Sequence, residues 1–542
     1  MGKFTWDVIC KQPARKSDNW LINVLAKNRG LDSQNKLENF LEPKLSQILE
    51  TKLTDTKKAV DRILKAVRNK EKIIVYSDYD ADGICGTAIM WETLYDLGAN
   101  VLPYVPDRIK EGYGLSSPAI TKLAAQGCKL IITVDHGVGA VSQVAFAKKL
   151  GVDVIISDHH VLSKTLPKAF ALVHTTSLAG AGVSWLLCHK IVQNLKPIYR
   201  NRLYQRLELA AIATIADMVP VTGANRAIVK LGLERLAKTE RFGIKALIGE
   251  SGIKGQVGTY EIGHILAPRI NAMGRIENGL DALRLLCAKK EGQAQNLARF
   301  LSKTNNRRRD LTNKVIDHAI RLVKDDEAVS VISHETYHEG VIGLVASRLV
   351  ESFNKPVIVI SKKEIFSRGS ARSIAGFNII EAIRASSQYL KDAGGHPMAA
   401  GFTIETRHIP HFTQEINSYA QSRLTDELLT PRLKIDCPLR YEDITKKSLK
   451  TIELFAPFGV GNPEPVFITY DMSIEDIRGV GSLNEHLKLN LNGISAIGFG
   501  MGDYKSQLRP GYKLNVVYTL ANNNYNGADS IQLKIRDLNI ST

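Results

Sequence analysis

Three short apolar runs, Ile73-Ile74-Val75, Leu130-Ile131-Ile132 and Val154-Ile155-Ile156, constrain this chain more than any other feature. Each is strand-like. The Ala- and Leu-rich stretches between them are long enough for crossover helices, the connection that parallel strands require. Val60, Ile63, Leu64 and Val67 recur at helical spacing between Lys57 and Lys70 and lead into the first run. An α/β domain built on a parallel sheet is expected here.

Each run also ends in residues that packing alone would not select. The first leads into Tyr76-Ser-Asp-Tyr-Asp-Ala-Asp-Gly83, the second into Thr133-Val-Asp-His-Gly137, the third into Ser157-Asp-His-His160. Ligands of open α/β sheets sit beyond the carboxyl ends of the strands, so these acids and histidines should converge there. If the chain stays extended past Tyr76, Asp78, Asp80 and Asp82 project to one side. Helix N-caps on a solvated turn are the alternative reading of the same residues. Asp135 is a candidate to bridge two metals and His159 a candidate nitrogen ligand. Asp217, after Ala211-Ile-Ala-Thr-Ile-Ala216, is a further acid. Carboxylates and imidazole without sulfur suit Mn²⁺ or Mg²⁺ better than structural zinc, and close pairs of such ions serve phosphoryl displacement. The pattern favours phosphoester hydrolysis.

Composition narrows the partners. Lys and Arg number 72 against 55 Asp and Glu, an excess of 17 that favours a polyanion such as nucleic acid, with a solvated basic surface as the plain alternative. At 542 residues, three or four domains are expected. No apolar run nears the ~18 residues of a membrane span, and the first residues lack a signal-peptide core, so a cytoplasmic protein without a membrane partner is expected. Six dispersed cysteines suggest neither disulfides nor a thiolate metal site.

Between Gln293 and Lys324 an uninterrupted helical pattern predicts a long connecting helix, with Arg307, Arg308 and Arg309 at its middle. A second α/β section follows, with strands near Val329–Ile332 and Val357–Ile360 around a helix from Val341 to Leu349. After Pro431 the pattern alternates, as in Leu487-Lys-Leu-Asn-Leu491 and Ile531-Gln-Leu-Lys-Ile535, with a turn at Asn522–Gly527. It predicts a small β-barrel.

In their order, Asp-Tyr-Asp-Ala-Asp-Gly83, Val-Asp-His-Gly137, Asp-His-His160 and Ala-Asp-Met-Val-Pro220 resemble the motifs of the DHH phosphoesterases. Later segments are similar to the RecJ branch of that superfamily: Pro268-Arg-Ile-Asn-Ala-Met-Gly-Arg275, His338 to Arg348, Gly369-Ser-Ala-Arg-Ser373, Gly394-Gly-His-Pro-Met-Ala-Ala-Gly401 and Pro457 to Pro465. The resemblance implies an N-terminal extension (1–50), a DHH catalytic domain (51–230), a helical region with the connecting helix (231–325), a DHH-associated α/β domain (326–430) and an OB-like domain (431–542). It implies two divalent cations held by Asp80, Asp82, Asp135, His159 and Asp217, with His160 close to the metals or the scissile phosphate.

Two departures stand out. Tyr76 replaces a histidine that some relatives carry near the first metal, which makes Asp78 a candidate substitute ligand. The stretch before Leu178-Ala-Gly-Ala-Gly182 is shorter than usual. Arg108, Arg275, Ser370 and Arg372 are implied to bind a 5′ phosphate or adjoining backbone, structural ion pairs being the alternative. His396 is implied to meet the substrate, and Lys488, Lys534 and Arg536 are candidate contacts on the barrel. The activity implied is removal of 5′-mononucleotides from the 5′ end of single-stranded DNA in repair and recombination. The partners implied are single-strand-binding protein and a RecQ-type helicase, and the protein implied is a bacterial cytoplasmic monomer. A DHH phosphodiesterase acting on oligoribonucleotides or cyclic dinucleotides is the rival enzyme, and a non-catalytic DNA-binding replication scaffold the rival of another class.

Overall fold

The runs that end in acids form strands. In the computed structural model, which describes residues 2–15, 17–108, 111–523 and 530–541, the strands are β1 (Lys72–Ser77), β2 (Val101–Tyr104), β3 (Cys128–Val134), β4 (Asp153–Asp158) and β5 (Ala171–His174). They pair in the order β2-β1-β3-β4-β5, every pair parallel. Continuous apolar runs are what such a sheet needs, because both faces are covered. Ile73, Val75, Leu130 and Ile132 pack on one face with the apolar sides of α1 (Thr56–Arg68), α2 (Ala81–Asp96), α3 (Gly180–Val192) and α4 (Leu207–Ala216). Ile74, Tyr76, Ile131 and Ile156 pack on the other, against Ile120, Leu123 and Val144.

The helix α2 begins at the acidic end of β1 and is tied down at its other end. Buried Glu92 accepts from Arg206 Nε at 3.0 Å and from Arg241 Nη1 at 2.8 Å. Burial alone would raise its pKa, but the Arg241 and Arg206 charges outweigh it and hold the carboxyl at about 2. These elements belong to a unit comprising Asn35–Arg308 with Pro457–Pro463. It also holds α5 (Ala267–Ile276) and most of α6 (Glu291–Ala319), the expected long helix, which closes in a 3₁₀ turn at Ile320–Leu322.

The other unit comprises Met1–Gln34, Arg309–Ala456 and Glu464–Thr542. The segment expected as an N-terminal extension is thus shared between the units, and its strand Thr5–Val8 pairs in parallel with Arg432–Ile435. A mixed sheet is built from β6 (Ser330–His334), β7 (Val357–Ser361), β8 (Phe366–Arg372), β9 (Leu390–His396) and β10 (Ala399–Glu405), in the order β9-β10-β8-β7-β6. Only β6 and β7 run parallel. The amphipathic helix α7 (Ile342–Phe353) buries Ile342, Val345, Ala346 and Leu349 in this unit.

The alternating tail forms β11 (Phe467–Val480), β12 (His486–Leu491), β13 (Ile494–Gly498), β14 (Lys513–Asn523) and β15 (Ser530–Ile540). Pairing of β11 with β14 closes them into a five-stranded barrel. Leu487, Leu489 and Leu491 are buried inside it. Residues 524–527 of the turn expected at Asn522–Gly527 lie outside the described residues. Among the described residues no helix is long and apolar enough to cross a membrane.

Candidate metal centre

The strand β1 stops at Ser77, so Asp78, Asp80 and Asp82 do not alternate along extended chain as expected. Asp80 is instead the N-cap of α2, its Oδ1 accepting the N–H groups of Asp82 at 2.9 Å and Gly83 at 3.0 Å. Both readings of this segment therefore hold in part: a carboxylate caps the helix, yet the turn is buried rather than solvated. A strand-to-helix turn gathers the acids that an extended chain would only have aligned.

Asp82, in the first turn of α2, accepts from the N–H groups of Gly180 and Ala181 at the start of α3, both at 2.7 Å. The helix dipole and two free N–H groups thus meet a carboxylate. Gly180 also makes room for a second carboxylate: a Cβ there would lie 2.5 Å from Asp135 Oδ1. Asp135 sits just past β3 with φ +66°, a left-handed conformation that costs a non-glycine residue on the order of 1 kcal/mol. Its N–H is bonded to the Ser157 carbonyl at 2.9 Å.

His159 lies among three of these carboxylates. Its Nε2 is 3.2 Å from Asp135 Oδ1, 3.5 Å from Asp217 Oδ2 and 3.8 Å from Asp82 Oδ2. The 3.2 Å separation invites a hydrogen bond, but neither Asp135 Oδ1 nor His159 Nε2 makes one, although both atoms are shut off from water. Two buried acceptors facing each other at that range need a shared electrophile between them. Ligand atoms within 4.8 Å of one another form the groups Asp82, His159, Asp217 and Asp78, Asp80, Asp135, with Asp135, His159, His160 overlapping both. Asp135 and His159 each belong to two of the three.

Electrostatics points the same way. Burial first, then the neighbouring Asp80, raises Asp82 to about 7, and burial with the Asp82 charge raises Asp217 to about 8. Burial and neighbouring carboxylates also push Asp78 and Asp135 well up. Burial, reinforced by the charge of His160, lowers His159 to about 4, so its imidazole is neutral at pH 7 and free to coordinate. Carboxylates that would rather be protonated beside a neutral imidazole fit two hard divalent cations, whose charge reverses the repulsion.

His160 differs from its neighbour. Its Nδ1 donates to Asp158 Oδ1 at 2.8 Å, and although burial lowers its pKa, the Asp158 contact outweighs that and raises it to about 9. Asp158 itself, which burial alone would raise, is held at about 2 chiefly by His160. It also accepts from the N–H groups of His159 at 2.7 Å and Val138 at 3.0 Å. Asp158 was missed as a site residue, although it is the first letter of the Asp-His-His triplet. Asn271 was missed too: its Oδ1 accepts from Ala81 N–H at 2.7 Å and pins the acidic turn to α5. Asn271 acts by holding backbone, which leaves no spacing signature, whereas Asp158 holds backbone and also the His160 ring.

Tyr76 points into the opposite face of the sheet, its hydroxyl donating to the Gly114 carbonyl at 3.2 Å. Arg108 stands 5.0 Å over the Tyr79 ring, and its charge acts on Asp78. The charge of Arg275, near the end of α5, reaches Tyr79 as well. Arg108 and Arg275 therefore both act electrostatically on the turn that carries Asp78 and Tyr79.

Ser370, Arg372 and His396 lie in the other unit, where the sheet aligns them. Arg372 and His396 both lie opposite Ala399, and Ser370 lies opposite Gly401, which pairs in turn with Gly394. Arg372 Nε donates to Ser347 at 3.1 Å, and its Nη1 to Ser370 at 3.3 Å. On the barrel, Lys488 and Lys534 flank Ile497 in one row, whereas Arg536 donates to Glu464 at 3.4 Å.

Comparison with known proteins accounts for the arrangement. Family models match in chain order: the DHH family, N-terminal domain, over residues 72–215; the DHHA1 domain over 319–422; and the RecJ OB domain over 435–537. The single-stranded-DNA-specific exonuclease RecJ of Bacillus subtilis is 37% identical over 541 residues, covering 96% of this chain and 68% of that protein. The chain belongs to the RecJ family. The structure of RecJ from Thermus thermophilus in complex with Mn²⁺ matches with a TM-score of 0.86 at 28% identity, covering 100% of this chain and 80% of that one. The Mg²⁺ complex of the same protein gives 0.80 at 28% identity, covering 100% and 79%. Within this RecJ architecture the DHH match takes in Asp78 to His160 and ends just before Asp217. Ser370, Arg372 and His396 fall in the DHHA1 match, and Lys488, Lys534 and Arg536 in the RecJ OB match.

Proposed function

We propose that this chain is a metal-dependent exonuclease that hydrolyses single-stranded DNA from its 5′ end and releases 5′-mononucleotides. Asp80, Asp82, Asp135, His159 and Asp217 hold two Mn²⁺ or Mg²⁺ ions, with Asp78 as an additional oxygen donor. The observation that carries this reading is the pair Asp135 Oδ1 and His159 Nε2, buried 3.2 Å apart without a hydrogen bond. When bound, two such ions activate a water and neutralise the phosphoryl oxygens.

The chain's own residues do the rest. Gly180 and Ala181 fix the Asp82 carboxylate, and the Asn271 contact keeps the turn bearing Asp80 in place. His160, aimed by Asp158 and protonated below about pH 9, offers a proton or hydrogen bond to the leaving 3′ oxygen. Arg108 and Arg275 neutralise backbone phosphate beside the metals. Ser370 and Arg372 grip the 5′ phosphate, the guanidinium fork suiting its oxygens. Gly394 and Gly401 leave the sheet bare next to them, so that a strand can lie against backbone with His396 at its side. The row of Lys488 and Lys534 on the barrel follows the strand further along.

Single-strand-binding protein and a RecQ-type helicase are the partners that this role calls for, and the enzyme acts as a monomer in the bacterial cytoplasm. A single strand labelled at one end or the other, incubated with Mn²⁺, Mg²⁺ or chelator, tests the reading. A 5′ label should leave as mononucleotide first, and only with metal. Digestion in chelator, or equal digestion of blunt duplex, would overturn it. Turnover of cyclic dinucleotides without attack on long single strands would favour the short-substrate phosphodiesterase instead.

A further inference from the structure

Two aromatic rings lie exposed on the helix that feeds the metal site. Tyr260 and His264, four residues apart, stack on each other with centroids 4.5 Å apart and planes at 20°. His264 Nδ1 bonds the Tyr260 carbonyl at 3.2 Å, which fixes the imidazole plane. Tyr260 is nevertheless 64% exposed and His264 is exposed as well, so the stack is open to solvent.

The local backbone explains why the rings are held there. Pro268 lacks the N–H that would close an α-helical bond to the carbonyl four residues back, at His264. The helix responds with a π segment over Ile262–Leu266, where the Ala267 N–H reaches Ile262. Such bulges are frequent at functional sites. The same rod continues without interruption into α5, which carries Asn271 against the acidic turn and Arg275 beside Tyr79.

The segment that carries the rings packs on the helix that leads to Asp217. Gly263, between them in sequence, faces Ile215, two residues before Asp217. A Cβ on Gly263 would meet Ile215 Cγ2 at 3.7 Å, an ordinary contact, so packing does not demand glycine at this point. What glycine provides is bare backbone. Met218, the residue after Asp217, is held at φ +59° and is 69% exposed. The segment between the rings thus offers bare backbone at Gly263 and packs on Ile215, three residues before exposed Met218, on a chain of net charge +17.

We propose that Tyr260 and His264 form a platform on which a nucleobase of the single strand stacks beside the metal centre. Every base has a π face, so such a platform grips any sequence, while paired bases present no free face to it. This rests on the reading of the chain as a single-strand exonuclease, and the experiment separates the two.

Oligonucleotides carrying 2-aminopurine at successive positions from the 5′ end are bound to the full chain bearing Asp135→Asn, which prevents cutting. Quenching at one position marks the stacked base, and adding Tyr260→Ala should abolish it. In the otherwise native chain Tyr260→Ala should raise KM for a single strand about 5- to 10-fold, with kcat within about twofold. Tyr260→Trp should restore both quenching and KM. If the native chain does not digest single strands, the parent reading fails. If it does, the platform is overturned by unchanged quenching and KM in Tyr260→Ala, or by no recovery in Tyr260→Trp.

Discussion

The carboxyl end of the parallel sheet and the glycine-lined face of the mixed sheet both carry candidate site residues, under opposite physical conditions. At the first, Asp82 and Asp135 are 1% and 2% exposed, and their neighbours include buried acceptors with nothing to accept from. At the second, His396 is exposed, and Arg372 is satisfied by Ser347, Ser370 and the Ala371 carbonyl. The first arrangement is costly without a cation; the second is stable as it stands. Chemistry that polarises a phosphoryl group belongs where charge is frustrated, and recognition belongs where donors can be re-aimed at little cost.

The contrast is broken most directly at Asp135. Asp135→Asn should lower the rate of single-strand hydrolysis by about 10³-fold, since metal charge stabilisation is worth several kcal/mol. The same change should raise the melting temperature of the chelated protein, because it removes a carboxyl group that burial and its neighbours force to take up a proton on folding. Loss of activity together with loss of metal-free stability would mean that Asp135 is held by the fold and not by a cation.

A pH series sharpens the point without mutation. Asp82 and Asp217 have folded pKa values of about 7 and about 8, above the ordinary carboxylate range. Groups raised in this way contribute stability when protonated, fully at acid pH, and lose it as pH rises through the folded values. The chelated protein should therefore melt at progressively lower temperature from about pH 4 to about pH 8. Mn²⁺ should abolish that decline. A flat profile in chelator would show that the carboxylates are already neutralised by the protein.

How much of this could be read from sequence depended on where the charge sat. An acid at the end of an apolar run has no packing purpose, so Asp80, Asp82, Asp135 and Asp217 announced themselves. The turn that gathers them did not, because an Asp in Asp-Ala-Asp-Gly can extend a strand or cap a helix, and only the Asn271 and Gly180 contacts decide. The strand β2 was not anticipated either. Its Pro103 argues against a ladder position, yet β2 is the sheet's edge, where a missing N–H costs little. Likewise Gly394-Gly-His-Pro carries no strand signal, yet β9 and β10 continue through the glycines as a hairpin. Tertiary pairing overrides low strand propensity there.

The smallest expected effects lie on that hairpin and its neighbour. Arg372→Ala should raise KM for a 5′-phosphorylated strand about 10- to 100-fold, the value of a charge-assisted pair, with kcat changed far less. Arg372→Lys should recover little of it, because an ammonium cannot present the fork. His396→Ala, at an exposed position on the other side of Ala399, should cost only a few-fold in KM, within the ~1 kcal/mol of one ordinary hydrogen bond. Melting temperature should hardly move for His396→Ala, since no buried partner is orphaned. A 5′-hydroxyl strand used in parallel gives the decisive comparison. If Arg372→Ala weakens both strands equally, the guanidinium serves the backbone at large and not the strand end, and the division between a frustrated chemical centre and a face that measures the terminus fails at its second half.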